Sequence, residues 1–257
     1  MTSRFNSVIL DIEGTICPVS FVKDTLFPYF LEHLEEYLSK IEFPLGNTTS
    51  NLQNAELAGI LDKFPTEYSC GKATLEKYIR KLVKNDVKDP VLKELQGYVW
   101  KTGYNSGEIL APLYDDAIEA IKHWSVTLSG GLYIYSSGSI EAQKLLLSHV
   151  KISKSGHPLN VANLNGLLSG YFDTTNAGSK IQIASYRRIL QKIGYGLETE
   201  SQLKYSSVLF LSDNPAEVEA AIQAGMTSYL VYRAGNREIP HEIQQRVKVI
   251  TNFAQLF

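Results

Sequence analysis

Four short apolar runs constrain the fold of this chain more than any other feature of its sequence. Each run is continuous and about as long as one buried strand; they occupy residues 7–10, 132–135, 208–211 and 229–232. A strand of a parallel sheet is covered on both faces, so its sequence is apolar throughout instead of alternating. These runs therefore predict strands of one parallel sheet.

Helical patterns lie between the later runs. Amphipathic segments cover residues 141–149 and 181–193. A third helix is predicted to begin after Asn214, a suitable N-cap, with Pro215 at its first position and Glu217 as the partner in a capping box. Strands that alternate with helices predict a doubly wound, mostly parallel α/β sheet.

The stretch between the first two runs shows helical spacing and no convincing strand. Apolar residues recur every three or four positions over residues 22–38, where Pro28 is expected to kink or interrupt the helix. Further amphipathic helices are predicted over residues 75–83 and from Asp89 onward. This stretch is expected to form a helical insertion.

The length of the chain agrees with an insertion. At 257 residues it exceeds one average domain and falls short of two. We predict an α/β core made of residues 1–19 and 116–257, with a helical cap domain over residues 20–115.

Composition excludes several classes of protein. A formal net charge of −2 argues against a nucleic-acid or acidic-membrane partner, which requires a basic excess. No apolar run approaches the roughly 18 residues of a membrane span, and the first is too short for a secretory signal. Two cysteines, Cys17 and Cys70, cannot build a disulfide framework. We expect a cytoplasmic protein, with nuclear entry left open, that is a monomer.

Polar side chains follow the predicted strands at the points where the strands end. In chain order they are Asp11 and Glu13, Ser136 and Ser137, Lys180 before an intervening helix, and Asp213. In open α/β sheets the ligand lies beyond the carboxyl ends of the strands. Carboxylates are Mg²⁺ ligands, and a lysine with hydroxyl groups near a helix N-terminus binds anions. The set predicts a site for a phosphate held with Mg²⁺.

Each of these residues is also compatible with a purely structural role when it is taken alone. An acid after a strand is often a helix cap or a loop residue, and Lys180 by itself is typical of a solvated lysine. The serines form an ordinary strand-to-helix turn, and the capping box accounts for Glu217. Their joint occurrence at three strand ends favours the functional interpretation.

The segment Asp11-Ile12-Glu13-Gly14-Thr15 resembles the first motif of the haloacid-dehalogenase superfamily, in which a second acid lies two residues after an Asp nucleophile. Most members carry Asp at the second position. Glu13, with residues 17–22 and 26–29, resembles the enolase-phosphatase family of methionine salvage. The likeness continues through residues 95–104, 135–139, 170–173, 210–213 and the segment Arg233-Ala234-Gly235-Asn236, so it covers most of the chain.

The resemblance implies a Mg²⁺-dependent conversion of a small phosphorylated diketone into acireductone and phosphate. It implies that Asp11 is the nucleophile and a ligand of one Mg²⁺ per subunit. Glu13 would bind the metal through its backbone carbonyl and act as acid and base through its side chain. Ser136, Ser137 and Lys180 would bind the substrate phosphate, and Asp213 would complete the metal site.

Three alternatives stay open at the level of sequence. The nearest is a capped phosphatase or phosphomutase that acts on another small phosphate ester. A phospho-accepting receiver module is disfavoured because Asp11 follows the first strand and the insertion is large. A catalytically idle scaffold is disfavoured because every polar residue of the motifs is present.

Overall fold

The computed structural model describes residues 4–45, 54–152, 161–196 and 205–257. Its strands, in chain order, are β1 (Ser7–Leu10), β2 (Gly131–Tyr135), β3 (Val150–Lys151), β4 (Val161–Ala162), β5 (Gly170–Phe172), β6 (Val208–Ser212), β7 (Thr227–Val231) and β8 (Val249–Ile250). Six of them form a sheet in the order β5-β2-β1-β6-β7-β8, and every pair in it is parallel. The remaining two, β3 and β4, form an antiparallel pair.

Ten α-helices lie in the described ranges. They are α1 (Phe27–Ser39), α2 (Ala55–Leu61), α3 (Thr66–Ser69), α4 (Lys72–Lys84), α5 (Pro90–Ser106), α6 (Asp115–Thr127), α7 (Ile140–Ser148), α8 (Ile183–Lys192), α9 (Pro215–Gln223) and α10 (His241–Arg246). A π-helical turn, Val22–Leu26, precedes α1, and two 3₁₀ turns occupy Asn165–Leu167 and Phe253–Leu256.

The predicted doubly wound, parallel α/β architecture is confirmed. All four predicted strands are present, and β1 lies in the middle of the sheet between β2 and β6. Leu10 is in register with Ile134 on one side and with Leu211 on the other. The residues that follow these three strands therefore emerge side by side at one edge of the sheet.

Two strands of the sheet were not predicted from the sequence. Strand β5 has three residues, of which Gly170 and Tyr171 are half-buried, and β8 has two residues. Neither gives a continuous apolar run, because edge strands are covered less completely than central ones.

Pro28 and Asn214 lie near the starts of two helices. A π-helical turn, Val22–Leu26, comes directly before α1, whose second residue is Pro28. The Leu26 backbone is itself α-helical, so the chain stays helical here and only the regular α-helical spacing is interrupted before the proline. Asn214 caps α9 and accepts a hydrogen bond from the Ala216 N–H at 3.0 Å.

The chain forms two compact units, one made of Met1–Phe21 and Leu110–Phe257 and the other of Val22–Ile109. The first unit holds the sheet, and its core packs Ile9 against Tyr135 and Phe210. No helix in the described ranges is both long and apolar enough to cross a membrane.

The second unit, Val22–Ile109, has helices and no strand among its described residues. Its aromatic residues pack inside it: Trp100 stacks on Phe27 with ring centroids 6.4 Å apart and donates a hydrogen bond to the Leu26 carbonyl at 2.8 Å. Tyr104 is also buried. Phe27, Trp100 and Tyr104 therefore contribute to the packing of the second unit itself.

Removal of a central core side chain is expected to destabilise the protein. Ile9 is fully buried on β1, so Ile9→Ala should lower the free energy of unfolding by about 2–5 kcal/mol. The matched control is Val126→Ala on α6, since Val126 is 82% exposed and its truncation should cost less than about 0.5 kcal/mol. Urea denaturation measures both; equal effects would contradict this description of the core.

Candidate active site

A buried ion-pair network lies at the end of the central strand. Asp11 follows β1, and its backbone N–H donates to the Leu211 carbonyl at 2.9 Å, which continues the ladder to β6. The Lys180 Nζ lies 2.5 Å from Asp11 Oδ1 and 2.7 Å from Glu217 Oε2. The other Asp11 oxygen, Oδ2, accepts a hydrogen bond from the Thr15 hydroxyl at 3.3 Å.

Lys180 reaches this network from the segment between β5 and α8. The segment is held from both sides of the lysine: Tyr135 donates to the Gly178 carbonyl at 2.8 Å, and Tyr186 donates to the Lys180 carbonyl at 2.6 Å. Only 7% of Lys180 is exposed, so the alternative of a solvated lysine is wrong.

Glu217 is a member of the site, although its position in the sequence predicted a capping box. That prediction is wrong, because the backbone N–H of Asn214 donates instead to the Ser212 hydroxyl at 3.1 Å. The Glu217 carboxylate turns inward, where it pairs with Lys180 and accepts a hydrogen bond from Ser212 at 2.7 Å. One signal in the sequence was available: an acid in the first turn of a helix that follows a strand end points toward that edge of the sheet.

Asp213 packs against the backbone of the loop after β1. Gly14 has a φ of +71°, and a Cβ at this position would collide with the Asp213 carboxylate. A residue without a side chain is therefore required for the loop to lie beside Asp213. Glu13 is half-buried, and its charge adds to the effect of burial and of the other carboxylates in raising the pKa of Asp213.

The serines lie at the end of the neighbouring strand, β2. Ser136 is buried, its N–H donates to the Phe172 carbonyl at 3.2 Å, and its hydroxyl accepts from the Gly138 N–H at 3.3 Å. Ser137 is exposed. Ser139 caps α7 by accepting from the Ala142 N–H at 3.3 Å. The serine turn thus leads into the N-terminus of a nine-residue helix, which carries partial positive charge.

Burial and like charges perturb the acids of the network. Burial, with the nearby Asp11 and Glu217 carboxylates, raises the pKa of Asp213 to about 7. The pKa of Glu217 is also raised, by burial and by Asp11. Burial opposes the charged form of Lys180, but Asp11 and Glu217 outweigh it and raise the pKa of the lysine. The ammonium group is therefore protonated, while the carboxylates repel one another.

This arrangement fits a magnesium ion with few protein ligands. No group of three or more His, Cys, Asp and Glu side chains in the described part of the chain forms a metal cage. Mg²⁺ in phosphate-binding sites takes one or two carboxylates, a few waters and phosphate oxygens, and does not need such a cage. Burial and the neighbouring carboxylates raise the pKa of Asp213, and a bound cation would offset both effects.

Comparisons with known proteins identify the family. The family model for haloacid dehalogenase-like hydrolases matches residues 5–225. The chain belongs to this family. It is therefore a hydrolase, and individual relatives narrow its place among the hydrolases.

Among these relatives, a protein of Debaryomyces hansenii named enolase-phosphatase E1 is 48% identical over 97% of this chain and 95% of its own. Its Candida albicans (strain SC5314) namesake is 48% identical over 91% of this chain and 86% of its own. The crystal structure of the UTR4 protein from Saccharomyces cerevisiae covers 98% of this chain and 100% of its own, with 40% identity and a TM-score of 0.80. Within the hydrolases, the chain thus belongs to the enolase-phosphatase family.

The raised pKa of Asp213 gives a testable pH dependence of stability in the metal-free protein. An acid with a pKa near 4 when unfolded and about 7 when folded binds a proton more tightly in the folded state. Its contribution to stability is full below pH 4 and is lost as the pH rises through 7. Asp213→Asn removes this charge, so the metal-free variant should melt higher than wild type at pH 8, by about 2–4 °C for each kcal/mol regained.

The difference between Asp213→Asn and wild type should shrink at pH 5. Calorimetry in EDTA measures both melting temperatures. Glu238→Gln, at an exposed position, is the control and should not change the melting temperature at either pH. An Asp213→Asn protein that melts below wild type at pH 8 would show that the charge on Asp213 does not destabilise the metal-free fold.

Proposed function

We propose that this chain converts 2,3-diketo-5-methylthiopentyl 1-phosphate into the acireductone 1,2-dihydroxy-3-keto-5-methylthiopentene and phosphate, as a step of methionine salvage. The observation that carries this proposal is the buried contact of Lys180 with Asp11 at the end of β1, in a chain of the enolase-phosphatase family. The name of the Debaryomyces hansenii relative, enolase-phosphatase E1, contains two activities, and we assign the corresponding half-reactions, enolisation and phosphate release, to this chain.

Asp11 is the proposed nucleophile. A carboxylate oxygen of Asp11 attacks phosphorus in line, the bond from phosphorus to the substrate oxygen breaks, and an aspartyl-phosphate forms. The Lys180 ammonium contacts Asp11 before the attack and would lie beside the phosphoryl oxygens as charge spreads over them. Glu217 holds this ammonium from its other side.

Glu13 is the proposed acid and base, because it lies two residues after Asp11 in the same loop and is half-buried. In the first step it donates a proton to the leaving oxygen of the substrate. In the second step it takes a proton from the water that attacks phosphorus and frees the Asp11 carboxylate. Glu13 is also the economical candidate for the base that removes the carbon-bound proton during enolisation.

The phosphate group of the substrate is proposed to bind between Lys180 and the turn after β2. Ser136 and Ser137 supply hydroxyl groups, and the backbone N–H groups at the start of α7 point toward this edge of the sheet.

Asp11, Asp213 and the backbone carbonyl of Glu13 are the proposed ligands of one Mg²⁺ per subunit. When bound, Mg²⁺ neutralises phosphoryl oxygens and acts as a Lewis acid toward a substrate carbonyl. A cation between them would offset the repulsion between the carboxylates of Asp11 and Asp213. The loop after β1 and the turn after β6 would then be held together.

Substitution of the nucleophile should abolish the reaction and leave the fold intact. Asp11→Asn keeps the shape of the side chain but removes the attacking carboxylate, so phosphate release should fall by about 10⁴-fold or more. Phosphate release from the diketo phosphate and the ultraviolet absorbance of the conjugated enediol measure the two half-reactions separately. Glu238→Gln is the control and should retain wild-type rates.

Near wild-type phosphate release by Asp11→Asn would overturn the assignment of the nucleophile. Phosphate release from other small esters, with none from the diketo phosphate and no enediol absorbance, would indicate the alternative of a capped phosphatase with another substrate.

Chelation of the metal should remove activity reversibly. EDTA is expected to reduce phosphate release to background, and an excess of Mg²⁺ should restore it, because Asp11 and Asp213 are acids whose charge the ion compensates. The rate of phosphate release should fall by about 10²-fold or more, which is the usual effect of removing one strong electrostatic stabiliser of a transition state. Full activity in EDTA would contradict a metal site at Asp11 and Asp213.

A further inference from the structure

Three consecutive backbone carbonyls of the loop after β1 accept hydrogen bonds from outside that loop. Gly14 O accepts from Asn236 Nδ2 at 2.8 Å, and Thr15 O accepts from Arg233 Nε at 3.1 Å. The next carbonyl, Ile16 O, accepts from the Tyr114 N–H at 3.0 Å. The segment 233–236, which follows β7, therefore holds the loop that carries Asp11 and Glu13.

Arg233 is itself held in several directions. It is 6% exposed, and its Nη1 donates to both Asp116 oxygens, at 3.0 and 2.9 Å, and to the Thr251 carbonyl at 3.1 Å. Its guanidinium carbon lies 4.5 Å from the Tyr114 ring centroid and 4.7 Å from that of Phe253. A planar guanidinium fixed in this way directs its Nε–H along one line, toward Thr15 O.

Three backbone hydrogen bonds inside the loop converge on one carbonyl. Inside the loop, the N–H groups of Thr15, Ile16 and Cys17 all point to one acceptor, Ile12 O, at 2.9–3.2 Å. Gly14 has a positive φ and lies against Asp213, so a rotation of its peptide plane would move backbone atoms beside that carboxylate.

We propose that Arg233 and Asn236 are positioning residues, which fix the peptide planes at Gly14 and Thr15 and so hold Asp11, Glu13 and Asp213 in one arrangement. Neither residue takes part in the chemistry of the reaction. The kinetic part of this inference rests on the proposed function, whereas the effect on the loop does not.

Two substitutions test the two hydrogen bonds separately. Arg233→Lys keeps a positive charge beside Asp116, but one ammonium group cannot reproduce the fixed direction of Nε–H toward Thr15 O. Asn236→Ala removes the donor to Gly14 O. The matched control is Arg246→Lys. Arg246 is an exposed arginine whose Nη2 lies 2.6 Å from Glu219 Oε1, and neither residue belongs to the loop after β1.

Hydrogen–deuterium exchange is the first readout, with the amides of Thr15, Ile16 and Cys17 reporting on the loop and those of β2 on the sheet. Titration of the metal-free protein with Mg²⁺ by calorimetry is the second. Steady-state kinetics with the diketo phosphate at 25 °C is the third.

Both variants should exchange the loop amides about tenfold faster than wild type while β2 keeps its protection. Mg²⁺ affinity and kcat should each fall about 10- to 100-fold, the usual effect of losing a group that orients a metal ligand, with KM changed less than about twofold. Arg246→Lys should match wild type in all three readouts.

Loop exchange within about twofold of wild type in the folded variants would overturn the proposal, whatever happens to kcat. Equal loss of protection in the loop and in β2 would indicate a purely structural role and would also overturn it. If Arg233→Lys does not fold, the loop exchange of Asn236→Ala alone decides whether the proposal holds. A wild-type protein inactive on the diketo phosphate would refute the proposed function, while loop exchange would still decide this inference.

Discussion

The buried ammonium of Lys180 is the interaction on which the candidate site depends. It lies between Asp11 and Glu217, and all three side chains are nearly inaccessible to water. A buried carboxylate without a partner is costly, so removal of the lysine from such a network costs about 3–5 kcal/mol. The lysine thus makes it possible to place two carboxylates close together at the end of the central strand. The proposed mechanism uses one of them, Asp11, as the nucleophile.

The parallel sheet explains why these residues meet. Strands β2, β1 and β6 are adjacent and in register, so Ser136, Asp11 and Asp213 follow them at the same edge although they are distant in the sequence. Helix α9 starts directly after β6 and brings Glu217 back to this edge. Burial and the neighbouring carboxylates raise the pKa of Asp213 at this edge to about 7.

The sequence predicted the strands that are buried on both faces, because a continuous apolar run is typical of a strand of a parallel sheet. The polar residues that follow these runs could therefore be placed at the carboxyl edge of the sheet. It did not predict β5 and β8, which are too short to show a pattern. It indicated the wrong role for Glu217, since a helix-capping acid and an acid turned toward a lysine occupy the same sequence position. The hydrogen bond from Arg233 to Thr15 O spans 218 positions and has no local signal.

Covalent catalysis by Asp11 is the central claim of the proposed mechanism, and trapping of the intermediate tests it directly. The enzyme is quenched during turnover of the diketo phosphate, treated with borohydride and digested, and peptides that contain residue 11 are analysed by mass spectrometry. An aspartyl-phosphate is reduced to homoserine, so we predict homoserine at position 11 in the presence of substrate and aspartate in its absence. Unmodified Asp11 in enzyme that releases phosphate at the full rate, or a reduced acid at another position, would contradict covalent catalysis by Asp11.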